Sequence, residues 1–186
     1  MRLILASASP RRAELLTAAG FDFEVRAADV DERVRPGEAP HDYVRRLAIE
    51  KAAAAQTGMA TDGVLTLGAD TAVIVDGEIL GKPADLAAAA RMLRRLSGRA
   101  HAVLTGVSVR SGEQHLDLVD ETRVFMQPLS EADVAWYVAS GEGLDKAGAY
   151  AIQGLASRFI PRIEGSYSNV VGLPLARVAE LIRQLA

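Results

Sequence analysis

Cysteine is absent from the 186-residue chain. That one absence removes disulfides, thiolate zinc sites, iron–sulfur clusters and cysteine nucleophiles together. Histidine is scarce. His41, His101 and His115 are the only three, and they form no HxxH or HExxH spacing, which argues against a histidine-built metal site. No apolar run approaches the ~18 residues that a membrane span needs. The N-terminal stretch Leu3–Ala6 is too short for a signal peptide, so the expected location is the cytoplasm with no membrane partner. Basic charge is not in excess either. Lys plus Arg is 21 against 24 Asp plus Glu, a net charge of −3. Proteins that wrap DNA or RNA usually carry the opposite balance, so no polymeric nucleic acid is expected as a partner. Lysine is the rarest cation: 18 of the 21 basic residues are Arg, leaving Lys51, Lys82 and Lys146.

What is present fits one ordinary domain, or one domain with two lobes, of a globular protein. Hydrophobic residues make up 49% and charged residues 24%, enough apolar material for a core without staples. The pattern alternates. Leu3–Ala6 reads as a buried strand, and Ser9-Pro10 opens a helix, with Ser as cap and Pro at its first position, that stops at Gly20. Phe21–Val25 reads as a strand, residues 28–39 as a charged loop, and Pro40–Gln56 as a long helix. Val64–Gly68 and Thr71–Val75 read as strands, and Asp76-Gly77 turns the second into Glu78–Leu80. A helix over Leu86–Leu96 follows. His101–Arg110 and Gln114–Met126 read as long antiparallel strands turned at Ser111-Gly112. Ser130-Glu131-Ala132-Asp133 is a capping box opening a helix to Ala139. Ser157–Ile163 reads as a strand, and Pro174 opens the last helix. The sum is a mixed α/β fold with an antiparallel component.

No Walker A loop, GxGxxG, GxSxG or kinase motif is present. The candidates are smaller clusters. The three lysines stand where a compact ammonium serves and a planar guanidinium does not, or they simply snorkel at helix edges. Lys51 falls on the stripe Val44, Leu47, Ala48, Lys51 of its helix, Lys82 lies in Gly81-Lys82-Pro83, and Lys146 lies in Asp145-Lys146-Ala147-Gly148. Ser7-Ala8-Ser9-Pro10-Arg11-Arg12 leaves a buried strand for a helix N-terminus. It is either an anion site or a capped helix with two solvated arginines. Asp70, in Gly68-Ala69-Asp70-Thr71, ends an apolar run. It is either a carboxylate for Mg²⁺ or water, or a turn residue. Asp31-Glu32 offers a second carboxylate or a solvated pair. Gln153 is a candidate reader of a base edge, or an exposed amide at a strand end. Together these suggest phosphoryl chemistry on a small anionic substrate.

Ser7-Ala8-Ser9-Pro10-Arg11-Arg12, Gly68-Ala69-Asp70-Thr71, Gly81-Lys82-Pro83, Leu96-Ser97-Gly98-Arg99, the run Asp145–Gly154 and Val171-Gly172-Leu173-Pro174-Leu175 closely resemble the Maf family, in order and over nearly the whole chain. The resemblance implies a single domain, residues 1–186, with an inosine triphosphatase-like fold: an elongated mixed sheet with flanking helices, and two lobes around a deep cleft. It implies a nucleoside triphosphate pyrophosphatase that cleaves between the α and β phosphates with a divalent cation, Mg²⁺ or Mn²⁺, in a nucleotide house-cleaning role. Homodimers are common in such proteins. Asp70 matches the family's proposed base. Arg12, Thr71 and Gln153 match the positions marking the branch that acts on dTTP and UTP, rather than the branch acting on 7-methyl-GTP. Ser7, Arg11, Glu32, Lys51 and Lys82 match polar cleft positions. On this basis Asp70, Lys51 and Lys82 are the expected catalytic group, and Asp70 and Glu32 the expected metal ligands. The alternative is a nucleotide-binding regulator of cell division and septum formation, which would bind a triphosphate without releasing pyrophosphate. A phosphoester hydrolase that frees orthophosphate is a third reading.

Overall fold

A computed structural model describes residues 2–60 and 62–185. Arg2–Ala6 (β1) is the buried first strand, and Pro10–Ala18 (α1) follows it. Ser9 takes the cap position, but its hydroxyl makes no cap bond. The Ser9 N–H instead donates to Ser7 Oγ at 3.2 Å. Gly20, at φ +77°, ends the turn beyond α1. Phe23–Val25 (β2) is shorter than its sequence pattern suggests, and Pro40–Gln56 (α2) has the expected bounds. The two strands expected over 64–68 and 71–75 are one, Val64–Val75 (β3). Gly68 and Asp70 do not break it, because glycine here serves close packing and not a turn.

Glu78–Leu80 (β4) pairs antiparallel with β3 through the Asp76-Gly77 turn, where both residues have positive φ. Leu86–Leu96 (α3) is capped by Asp85, whose Oδ1 accepts from the Ala88 N–H at 2.6 Å. Ala100–Ser111 (β5) and Gln114–Phe125 (β6) form a hairpin. The two residues between them are Gly112, at φ +56°, and Glu113, one place later than expected. Glu131–Ala139 (α4) carries the expected capping box, with Asp133 N–H on Ser130 Oγ at 3.1 Å and Ser130 N–H on Asp133 Oδ2 at 3.0 Å. The strand expected over Ser157–Ile163 does not form as such. Leu155–Phe159 is a 3-10 turn that buries Ala156 and Phe159, a spacing of three and not of two. The strand there is only Arg162–Glu164 (β7). Tyr167–Val171 (α5) was not expected, and Leu175–Leu185 (α6) follows Pro174.

The chain divides into two compact units, and the expected mixed α/β architecture holds in both. The first comprises Met1–Thr71, Thr105–Asp120 and Gly172–Ala186. Its strands run in the order β2-β1-β3-β5-β6. β1 is parallel to β2 and to β3, with Leu3 opposite Leu65 and Ala6 opposite Gly68. Parallel neighbours need crossovers, which α1 and α2 supply. Alternation along β3 then sorts its faces. Leu65, Leu67 and Ala69 share a core with Leu16 of α1 and Val178 and Leu181 of α6. The intervening residues, Thr66, Gly68 and Asp70, face α2.

The second unit comprises Ala72–Leu104 and Glu121–Val171. It contains β4, the rest of β3, β5 and β6, then β7, with α3, α4 and α5. Its core gathers Val73, Leu93, Leu96, Val103, Val124, Tyr137 and Phe159, among others.

Candidate active site

Two glycines let α2 reach the sheet. A Cβ on Gly68 would lie 2.2 Å from the Ala48 carbonyl oxygen and 2.6 Å from the Ala52 nitrogen. A Cβ on Gly106, in β5, would lie 2.1 Å from the Val44 carbonyl oxygen. The helix backbone therefore rests against the backbone of both strands. Lys51, between Ala48 and Ala52, is carried down with it, and its side chain is only 9% exposed.

A buried ammonium needs anionic partners. Lys51 Nζ donates to Asp70 Oδ1 at 2.7 Å and lies 2.6 Å from Glu32 Oε1. Asp70 is nearly buried at 11% side-chain exposure, and Glu32 is half in water at 55%. Burial raises the Asp70 pKa above the ordinary carboxylate value, with a smaller push from Glu32. Lys51 and Arg12 oppose that rise. The result is a carboxylate more basic than a solvated one, held in place by a cation. Its second oxygen, Oδ2, accepts no hydrogen bond among the described residues.

Glu32 comes from the charged loop, and α2 fixes that loop by its backbone. Three successive carbonyls are held. Arg46 Nη1 donates to the Asp31 carbonyl at 3.5 Å, Tyr43 Oη to that of Glu32 at 3.0 Å, and Arg46 Nη2 to that of Arg33 at 3.2 Å. Arg46 is itself paired with Glu38 and Glu50. Nothing in the loop's own pattern separates Glu32 from its neighbours. Asp31 pairs instead with Arg33 in solvent.

On the other face of β3 stands Arg12, buried in α1. Each of its three nitrogens donates once: Nε to the Gly172 carbonyl at 2.8 Å, Nη1 to Ser7 Oγ at 3.0 Å, and Nη2 to Thr71 Oγ1 at 3.0 Å, which leaves one N–H on each Nη for a substrate. Thr71 Oγ1 also lies 3.0 Å from Thr105 Oγ1. Thr71 thus holds the arginine here. Burial lowers the Arg12 pKa and Arg11 lowers it further, while Asp70 and Glu32 raise it. Ser7 Oγ accepts both from Arg12 and from the Ser9 N–H, which leaves its own O–H to donate. Arg11 is half-buried beside this group. The first unit thus brings together Ser7, Arg11, Arg12, Glu32, Lys51, Asp70 and Thr71.

Lys82 and Gln153 belong to the second unit, and both are exposed. The Gly81 carbonyl accepts from the Gly148 N–H at 3.1 Å, joining the Lys82 segment to the run Asp145–Gly154. Gly148 is at φ +69°, and a Cβ there would press on Val73. Lys82 makes no hydrogen bond or ion pair among the described residues. Lys146, the third rare lysine, donates to the Glu142 carbonyl at 2.8 Å and to Asp145.

Among the described residues no three His, Asp or Glu side chains group as a metal site, and no helix is long and apolar enough to cross a membrane. The model of the family described as "Maf-like protein" matches residues 2–185. The chain belongs to the Maf family. It is 55% identical to a dTTP/UTP pyrophosphatase of Anaeromyxobacter sp. (strain Fw109-5), covering 98% of this chain and 89% of that one. It is 52% identical to a dTTP/UTP pyrophosphatase of Geobacter sulfurreducens, covering 99% and 96%. Among solved structures, that of the Staphylococcus aureus Ham1 protein aligns over 68% of this chain and 72% of its own, at TM-score 0.49 and 15% identity.

The residues that sequence reasoning missed are the supports. Gly106 and Thr105 stand in mid-strand, and Tyr43 and Arg46 act through the backbone of a loop. Only Gly106 carried a signal, a lone glycine inside a strand pattern, which marks a bulge or a close approach.

Proposed function

We propose that this Maf protein hydrolyses dTTP and UTP to the monophosphate and pyrophosphate. The observation that carries the reading is the buried Asp70 carboxylate, raised in pKa by burial and paired with Lys51, in a chain about half identical to dTTP/UTP pyrophosphatases. A pure binder of an anionic ligand gains nothing from a desolvated carboxylate, so the site favours hydrolysis over a regulatory role.

Asp70 Oδ2 orients a water and takes its proton. The water oxygen bonds to one phosphorus of the α–β anhydride, the bridging P–O bond breaks, and pyrophosphate leaves. Arg11, Arg12 and Lys82 stabilise charge on the phosphate oxygens, and Ser7 donates its free O–H to one of them. Lys51 holds Asp70 in place and joins the phosphate-binding cations when substrate arrives. Gln153 reads the imide edge of uracil or thymine, and Thr71 fixes Arg12 before the triphosphate binds.

The residues also fit a divalent cation. Asp70 and Glu32 converge on one point, now held by the Lys51 ammonium, and hard carboxylate oxygens completed by substrate phosphates suit Mg²⁺ or Mn²⁺. When bound, such an ion supplies charge neutralisation at the phosphates.

Phosphorus NMR of dTTP and UTP digests tests the reaction. Equal amounts of monophosphate and pyrophosphate are expected. Orthophosphate as the first product would overturn the proposal, and binding without turnover would favour the regulator.

A further inference from the structure

The turn that presents Gln153 is held at both ends by a single pair of side chains. Gln153 stands exposed between buried Ile152 and half-buried Gly154, and the Gly154 N–H closes the turn on the Ala151 carbonyl at 3.1 Å. At its start, the Ala151 N–H donates to Tyr137 Oη at 3.1 Å. At its end, the Leu155 N–H donates to Glu142 Oε1 at 2.9 Å. Tyr137 Oη in turn donates to Glu142 Oε2 at 2.7 Å. One hydrogen-bond chain therefore runs from Ala151 through Tyr137 and Glu142 to Leu155, bracketing Gln153.

The bracket is built closely. A Cβ on Gly154 would lie 2.0 Å from Glu142 Oε1, so only glycine lets the carboxylate in. Glu142 is anchored through its own backbone: its N–H donates to Ser140 Oγ at 3.2 Å and its carbonyl accepts from Lys146 Nζ at 2.8 Å. Tyr137, from α4, is 1% exposed. Burial, together with Glu142, raises its pKa, so the phenol keeps its proton and remains a donor. An amide discriminates one base edge from another only if the backbone beneath it is fixed.

We propose that Tyr137 and Glu142 are positioning residues for base selection: by clamping the turn they aim Gln153 and so set the preference for dTTP and UTP over CTP. This rests on the reading of Gln153 as base reader given above.

The test compares kcat and KM for dTTP and CTP in the wild type and in Gln153→Ala, Tyr137→Phe, Glu142→Ala and Glu142→Gln. Tyr137→Phe and Glu142→Ala should lower kcat/KM for dTTP about tenfold, mainly through KM, and move CTP by less than about twofold, as expected for a weakened polar contact. Glu142→Gln keeps an acceptor for the Leu155 N–H and should retain most of the discrimination. Adding Tyr137→Phe to Gln153→Ala should cost no further selectivity. Equal losses on dTTP and CTP would mark a merely structural role and overturn the proposal. So would intact discrimination in Tyr137→Phe and Glu142→Ala while Gln153→Ala loses it. If Gln153→Ala keeps its discrimination, the underlying reading of Gln153 falls first. Should Tyr137→Phe fail to fold, the two Glu142 variants decide the matter.

Discussion

Replacing Lys51 with Met keeps most of the side chain's volume and deletes its charge. At 2.7 Å, with an effective dielectric constant of about 20, the Lys51–Asp70 attraction is on the order of 6 kcal/mol before desolvation is counted. Desolvation offsets part of it, and breaking such a buried pair costs about 3–5 kcal/mol when the remaining ion stays charged. Asp70 has an escape, because it can take up a proton. Its pKa already lies above the ordinary value, and Lys51 is the largest influence holding it down. Without Lys51 it must rise further. A carboxylate whose folded-state pKa is raised stabilises the fold as pH falls through that pKa. The deficit of Lys51→Met should therefore be greatest at alkaline pH, roughly 10 °C in melting temperature for a chain of this size, and should shrink on acidification. Residual turnover should show an acidic limb displaced to higher pH, since the base must be ionised to act. Melting curves between pH 5 and 8.5 and the pH dependence of kcat/KM read both effects. A deficit that is the same at every pH, or an acidic limb that stays in place, would refute the assignment of Lys51 as the group that keeps Asp70 ionised.

Three further outcomes follow from the geometry. Gly68→Ala places a methyl group 2.2 Å from the Ala48 carbonyl oxygen, so α2 must retreat and take Lys51 with it. Stability should fall by about 3 kcal/mol and kcat/KM by at least about tenfold, and wild-type behaviour in both would show that the close approach is dispensable. Lys82→Ala, at an exposed position, should lose activity while its melting temperature stays within about 2 °C, and a large loss of stability would make that lysine structural. His101 is buried against Tyr150, with Nε2 2.8 Å from the phenol oxygen, and burial lowers its pKa to about 4. A histidine depressed below its unfolded value keeps the fold stable above about pH 6.5 and costs stability as pH falls toward 4, by about 3 kcal/mol. His101→Gln should flatten that part of the acid denaturation profile, and an unchanged slope would exclude the histidine as its source.

How much could be read from the residues depended on whether the signal was local. Capping and turn chemistry is local, so α2, α3, α4 and the Asp76-Gly77 hairpin stand where the pattern puts them. The strand expected over Ser157–Ile163 shrinks to Arg162–Glu164, because Ala156 and Phe159, one of them outside the expected strand, are buried at a helical spacing of three. The break read between Gly68 and Thr71 failed because a glycine that makes room for a helix looks the same as one that makes a turn. In the site, the scarcity of lysine pointed to Lys51, and its place on the apolar stripe of α2 foretold its burial. Its partners could not be foretold: Asp70 is reached only because Gly68 and Gly106 admit α2, and Glu32 only because Tyr43 and Arg46 hold three carbonyls of its loop. Thr71 and Arg12 are 59 residues apart, and their bond exists only in the folded chain.

Pyrophosphate release from dTTP, UTP, CTP, GTP and 7-methyl-GTP with Mg²⁺ or Mn²⁺, measured for the wild type and for Asp70→Asn, tests both the reaction and the role of Asp70. Preference for dTTP and UTP is expected in the wild type, with a folded Asp70→Asn protein that has lost most turnover on every substrate. Preference for 7-methyl-GTP would contradict the base assignment, and undiminished turnover by Asp70→Asn would contradict the chemistry.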